Sequence, residues 1–280
     1  MSKSVLYEQD KRIVKITLNR PDTRNALSGD IIEELVEYLN KADKDKNVGC
    51  IVLTGAGKSF SSGGNLQEIK DMTTKDNMSL SELEDWYRFG IQRIPRTMNS
   101  IDVPIVAAVN GHAIGAGNDL CTMCDIRIAG EDAKFSESFL RIGIIPGDGG
   151  SWFLPKIIGL SRANEMILTC DVLDAQKALD WGLVSQVVPN DHLLKVAHEI
   201  ADKIASLIPT LPANFSTSST SAILLFISGV SAPRPNHVPS GGVFLLTDPG
   251  SNNSDDSSAT HPMVLCGPTI SEICSAIIQF

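Results

Sequence analysis

Through residue 208 the chain alternates apolar runs of strand length with longer stretches whose apolar residues recur at helical spacing. Val14 to Leu18 alternates and reads as a strand, and RPDTRNALS follows as a loop. Ile31, Ile32, Leu35, Val36 and Leu39 then mark a helix with Ser28 at its N-cap. CIVLTG reads as a buried strand, FSSGGNL as a glycine loop, and Leu80 to Asn99 as a polar helix ending before the strand VPIVAAV. The unit of short strand, loop and helix recurs: NGHAIGAG leads into NDLCTMC, CDIRIAG is a strand, and IIPGDGG leads into SWFLPKIIG. Asp174 to Gly182 reads as a capped helix with glycine just past its end, and Leu193 to Ile208 carries apolar residues on one face. Strand and helix in alternation argue an α/β layered domain.

From Pro209 onward the character changes. The remaining residues are rich in Ser, Thr, Pro, Gly and Asn, and Arg234 is their only basic residue. Only AILLFISGV and the final ISEICSAIIQF have the composition of short elements. The reading is therefore a core over residues 1–208 and an atypical Ser/Pro/Gly-rich tail over 209–280. A net charge of −9 disfavours general affinity for nucleic acid or anionic lipid, so an anionic ligand needs a local basic patch. No apolar run approaches the roughly 20 residues that span a bilayer, and no leader opens the chain; the expectation is a cytoplasmic protein without a membrane partner. Six cysteines in a chain of 280 residues are not a secreted-type framework. Cys121 and Cys124 form a CxxC without a second pair or a histidine pair at zinc spacing, and read as core thiols; no metal site is expected.

The stretch Ile142 to Gly150, IGIIPGDGG, sets one carboxylate among glycines. Glycine tolerates positive φ and lets backbone amides approach a ligand closely. Asp148 is accordingly either the N-cap of the SWFLPKIIG helix, for which Asp is well suited, or a catalytic group.

NRPDTRNALS, FSSGGNL, VPIVAAVNGHAIGAGNDL, CDIRIA and IGIIPGDGGSWFLPKIIG occur in one order over roughly residues 5–207. Together with LTCDVLDAQKALDWGLVSQVV they resemble the enoyl-CoA hydratase/isomerase (crotonase) family. The resemblance implies a crotonase-like spiral of ββα repeats and an enzyme of fatty acid or other acyl-CoA metabolism. Its substrate would be an acyl-CoA thioester whose enolate is held in an oxyanion hole, with no cofactor besides the coenzyme A of the substrate. It also implies a homotrimer or dimer of trimers, although nothing after Pro209 resembles the family's C-terminal helices.

By position the resemblance makes the Gly64 and Ala116 amides the oxyanion donors, the second loop opening a helix at Asn118 whose dipole adds to the effect. Ser62, Gly63, Leu66, Gly115 and Phe139 would line the acyl site, and Arg24, with Lys70, would meet phosphate. Two glutamates of the family's hydratases fall on Asp119 and Phe139, and phenylalanine exchanges no proton; Glu137 is near enough to substitute only in part. Some branches, aroyl-CoA dehalogenases and β-diketone hydrolases among them, place an aspartate where Asp148 stands. Asp148 and Asp119 are thus the expected proton-moving groups, with Asp119 alternatively a favourable first-turn charge. Isomerisation needs a single base and suits this set somewhat better than hydration. The alternatives are a CoA-thioester hydrolase or dehalogenase-like activity through Asp148, and an inactive family member acting as a binding protein. His112 reads as a core histidine, and RNA binding is a poor third possibility given the acidic balance.

Overall fold

The computed structural model describes residues 3–75 and 79–208. All of them belong to the unit Met1–His237, and the tail expectations, AILLFISGV and ISEICSAIIQF included, lie outside the described residues.

The strands are β1 (Val5–Asp10), β2 (Ile13–Leu18), β3 (Cys50–Gly55), β4 (Ser59–Ser61), β5 (Ile105–Val109), β6 (His112–Ile114), β7 (Ile126–Gly130), β8 (Lys134–Ser136), β9 (Leu173–Asp174) and β10 (Gln186–Val188). The helices are α1 (Gly29–Lys44), α2 (Leu66–Lys75), α3 (Leu80–Phe89), α4 (Arg93–Ser100), α5 (Ala116–Thr122), α6 (Gly150–Ile158), α7 (Leu160–Thr169), α8 (Ala175–Asp180) and α9 (Leu193–Leu207). One sheet runs β1-β2-β3-β5-β7-β10 and a smaller one β4-β6-β8-β9. The strands β3, β5 and β7 each enter the large sheet, and the strand that follows each, β4, β6 and β8, enters the small one. A helix then closes each of these pairs, so the strand–loop–helix recurrence of the sequence is the spiral of ββα units expected of the crotonase fold.

Alternation along the strands decides the layers. Val14, Ile16, Leu18, Ile51, Leu53, Ile105, Ala107 and Val109 share a core with α1 and α4 residues, whereas Ile13, Cys50, Val52, Val106, Ala108 and Ile128 face α9. Successive side chains of a strand point to opposite faces, and both faces are covered, which is why β3 and β5 are buried throughout. Ala197, Ala201 and Ala205 form a small-residue stripe at a four-residue interval, letting α9 lie close on the sheet. The turns joining the sheets demand glycine by space: a Cβ on Gly111 would stand 2.1 Å from the Lys58 carbonyl oxygen. Buried Asn25 braces the same region, donating to the carbonyls of Ala56 at 3.0 Å and Ser59 at 2.8 Å.

Several expectations change in detail. Strand β1 was not legible as such, and pairs antiparallel with β2. The stretch read as one helix from Leu80 to Asn99 is two, α3 and α4, parted at Gly90, where a Cβ would lie 2.5 Å from the Trp86 carbonyl oxygen. Helix α5 opens at Ala116, two residues before Asn118. Ser28 holds the N-cap position of α1 without a side-chain cap bond, its hydroxyl turned to Asp30 instead. Asp174 caps α8 by accepting the Lys177 N–H at 2.8 Å, with Gly182 beyond it at φ +79°. His112 is exposed, because it falls on the outward position of the short strand β6. Cys121 and Cys124 are buried free thiols, and burial pushes the Cys121 thiol up to about 12.

Candidate active site

A cavity of about 370 Å³ opens where the glycine loops of three successive units converge. The first loop, after β4, contributes Ser62, Gly63 and Gly64. The second, between β6 and α5, contributes Gly115 and Ala116, and the third, before α6, contributes Asp148. The first two loops are in direct contact: a Cβ on Gly63 would stand 2.4 Å from the Ile114 carbonyl oxygen and 3.2 Å from the Ala116 nitrogen. Gly63 at φ +87° and Gly115 at φ +52° hold backbone conformations that favour glycine. Ala116 is the first residue of α5, so its N–H belongs to the turn whose amides have no partner within the helix. Gly64 and Ala116 both line the cavity.

The remaining wall is largely apolar: Leu27, Ile32, Leu66, Ile69, Trp86, Ile91, Ile114, Phe139, Ile142 and Ile144. The Phe139 ring approaches the second glycine loop, its Cζ lying 3.7 Å from where a Gly115 Cβ would stand. Of the expected residues, Gly64, Ala116, Asp148, Ser62, Gly63, Leu66, Gly115 and Phe139 are therefore brought together on one wall. Arg24 and Asp119 are not part of it. Arg24 is exposed, and its left-handed backbone (φ 56°) lets its carbonyl accept the Ser62 N–H at 2.9 Å, so it braces the first glycine loop through its main chain.

Asp119 lies behind the wall with no exposed surface, and Glu137 is equally inaccessible. Asp119, Glu137 and Asp148 form a buried group of three carboxyls, with Asp119 hydrogen-bonded to both of the others. Asn118, also fully buried, donates from Nδ2 to Glu137 Oε1 at 2.5 Å. Burial raises the proton affinity of all three. For Asp119 the charges of Glu137 and Asp148 add to burial and hold its carboxyl well above the usual range. Burial lifts Glu137 to about 7 against the opposing hydrogen bonds of Asp119 and Asn118. Asp148 is raised by burial and partly relieved by Asp119 and by its own backbone N–H. Facing carboxylates offer only acceptors, so a hydrogen bond between two of them requires a proton, and Asp119, flanked by both other charges, is the member whose affinity for it burial and charge both raise.

The N-cap alternative for Asp148 does not hold. Helix α6 is capped by Gly149 with no side-chain cap bond, and Asp148 faces the cavity, 4% exposed. Gly150 explains the third glycine of the loop: a Cβ there would fall 1.9 Å from Asp119 Oδ1, so only glycine lets the start of α6 close over that carboxyl.

Sequence reasoning missed Trp86 and Tyr87, which the break at Gly90 sets against the cavity. Burial, and then the charge of Asp148, raise the Tyr87 phenol above its ordinary value, which places that ring in reach of the carboxylate's field. The adjacent aromatic pair ahead of a glycine was the available signal. Among the described residues no group of His, Cys, Asp and Glu could hold a metal ion, and no helix is long and apolar enough to cross a membrane.

A sequence profile described as enoyl-CoA hydratase/isomerase matches residues 8–223. The chain belongs to the enoyl-CoA hydratase/isomerase family. Curated relatives include a probable enoyl-CoA hydratase of Mycobacterium bovis, 37% identical over 73% of this chain and 76% of its own length. Another is the 2,3-dehydroadipyl-CoA hydratase of Escherichia coli, 35% identical over 73% and 77%. Among solved structures, the enoyl-CoA hydratase of Bacillus anthracis superposes with a TM-score of 0.65 at 38% identity, covering 72% of this chain and 77% of that one. A Geobacillus kaustophilus enoyl-CoA hydratase subunit reaches 0.68 at 30% identity over 81% and 84%. The family is enzymatic, and the fold is that of its crotonase-type members.

Proposed function

We propose that the protein acts on an unsaturated acyl-CoA thioester, with coenzyme A as part of the substrate, and that its reaction is migration of the double bond through an enolate. The observation that supports this reading is that the two adjoining glycine loops, with Gly64 and Ala116, and the buried carboxyl of Asp148 line one largely apolar cavity. Glu68, also on the wall, is tied to Asn65 Nδ2 at 2.8 Å in the first-loop region.

In a 3-enoyl thioester, Asp148 takes a proton from C2, and the electron pair of that C–H bond enters a dienolate. The negative charge on the thioester oxygen is held by the Gly64 and Ala116 N–H groups. Asp148 then returns the proton at C4, leaving the double bond between C2 and C3 with no net gain or loss of atoms. A raised proton affinity suits a base that must take and return a proton near neutral pH. Protonated Asp119 sits behind it as hydrogen-bond donor. Hydration requires a second group to complete the delivery of water, and Phe139 offers none. Ser62, Gly63, Leu66, Gly115 and Phe139 shape the acyl site in this reading, while Arg24 and Lys70 would meet the phosphates from the surface. The quaternary proposal is a trimer or a dimer of trimers, for which a monomer in analytical ultracentrifugation would be the contrary result.

The test is to follow a 3-enoyl-CoA and crotonyl-CoA together with purified protein, with D148N alongside. Migration outpacing hydration, and a loss of about 10²–10⁴-fold in D148N, is expected. Hydration as the faster reaction, or an active D148N, overturns the assignment.

A further inference from the structure

Five buried acceptor atoms gather in one place with no donor among the described residues so long as the carboxyls are ionised: Asn118 Oδ1, both oxygens of Asp119, Glu137 Oε2 and Asp148 Oδ1. An isolated buried carboxylate oxygen without a donor is costly, and here four such atoms on three side chains adjoin the Asn118 amide oxygen. The one donor supplied by a side chain is Asn118 Nδ2, which goes to Glu137 Oε1. No metal-holding arrangement exists among the described residues. Contacts among the three carboxyls themselves need protons on the carboxyls as donors. Asp119 is in the middle, hydrogen-bonded to Glu137 on one side and Asp148 on the other. A single proton on Asp119 can be donated in only one direction at a time.

We propose that Glu137 is a positioning residue: by holding or releasing a second proton it decides whether Asp119 donates toward Asp148 or away from it, and so governs the basicity of the carboxylate that faces the cavity. The proposal rests on the assignment of Asp148 as the base.

With Glu137 protonated, its O–H donates to Asp119 and the Asp119 O–H donates to Asp148, so a directed chain of two hydrogen bonds ends on one negative charge at the cavity wall. When Glu137 ionises, it competes for the Asp119 proton and adds a second negative charge behind Asp148. Asp148 then loses its donor. The groups that face Glu137 are Asn118 and Asp119 from α5 and Asp148 from the loop before α6, with Tyr87 of α3 facing Asp148 in turn. No proton leaves the protein in this rearrangement except the one that Glu137 exchanges with solvent. Burial lifts Glu137 to about 7, which puts the changeover in the neutral range.

The deciding experiment is an infrared pH titration of the full chain, unlabelled and with glutamate ¹³C-labelled at the side-chain carboxyl. A protonated-carboxyl C=O band that is lost near pH 7, shifts with the glutamate label and is absent from E137Q is expected. Absence of any glutamate carboxyl titrating near neutrality overturns the proposal, and wild-type protein alone suffices for that result. The second readout is the pH profile of kcat/KM for the 3-enoyl substrate. Wild type should show an inflection near pH 7 that E137Q lacks, because the Gln amide donates to Asp119 at every pH. Superimposable profiles for the two proteins would also overturn it. An active D148N would remove the base assignment and leave the titration standing, so the two failures are told apart.

Discussion

Glycine at position 150 is the residue-scale feature that most directly couples packing to chemistry. Its missing Cβ is the space into which Asp119 fits, so Gly150→Ala must displace either α6 or the carboxyl. Overpacking of this kind costs about 1–3 kcal/mol. The expected outcome is a lowered Tm together with a larger proportional loss of kcat than of KM, read by thermal melting and steady-state kinetics. Unchanged kcat with a lowered Tm would mean that the Asp119 position is irrelevant to turnover. Phe139 belongs to the same scale. It occupies the position at which the hydratases resembled here carry an acid, and it fills that space with a ring against Gly115. Phe139→Glu places a carboxyl back at the wall, and a rise in the hydration-to-isomerisation ratio is expected; no change in the ratio would show that the ring is not what withholds hydration.

At the scale of elements, the short helix α5 carries two duties, presenting Ala116 N–H at its first position and Asp119 one turn later. Proline is tolerated at the first position of a helix because the N–H lost there has no partner within the helix. Ala116→Pro therefore removes the N–H proposed as an oxyanion donor while sparing helical hydrogen bonds. The prediction is a fall in kcat of about 10²–10³-fold with circular dichroism close to wild type; full activity would exclude this amide from the hole. Helix α8 offers a contrasting case far from the cavity. Asp174→Ala deletes its N-cap bond and should cost about 1 kcal/mol, visible as a lower denaturant midpoint with KM unaltered.

For the whole molecule, three buried carboxyls with raised proton affinity leave a signature in stability. Their unfolded values are those of ordinary carboxyls, 3.8 for aspartate and 4.5 for glutamate. Between 4.5 and about 7 the folded state holds the Glu137 proton that the unfolded chain has lost. Stability therefore falls as pH rises through that window. Asp30 acts oppositely: Ser28, Ser4 and Arg20 hydrogen bonds hold it below the ordinary value despite burial, so its contribution is lost only as pH falls below the usual carboxylate range. Denaturant unfolding across the window should show the decline in wild type and a flatter profile in E137Q. A wild-type profile rising toward neutrality would show that the three carboxyls are not the dominant titrating groups.

Much of this was legible in the linear order of residues. The alternation of strand and helix, the glycine loops, the burial of β3 and the cap of α8 follow from signals that are local in sequence, namely side-chain period and turn chemistry, and the gathering of eight expected residues around one cavity was implied by the resemblance that motif order carries. The break at Gly90 was not legible, since a polar helical pattern continues across it and only the packing of the turn reveals it. The inward placement of Asp119 and the partnership of Glu137 were also hidden: position 119 lies in one repeat of the spiral and positions 137 and 148 at two separate places in the next, and nothing in a linear chain states that their carboxyls meet. Sequence by itself thus determined the family, the repeat and the loops that can hold an oxyanion, because each is written in contiguous residues. Tertiary structure alone decided that Asp148 is buried at the cavity rather than capping α6, that Arg24 is left out of the cavity lining, and that three acids are buried together. Those outcomes depend on desolvation and on distances across the fold, which no local pattern encodes.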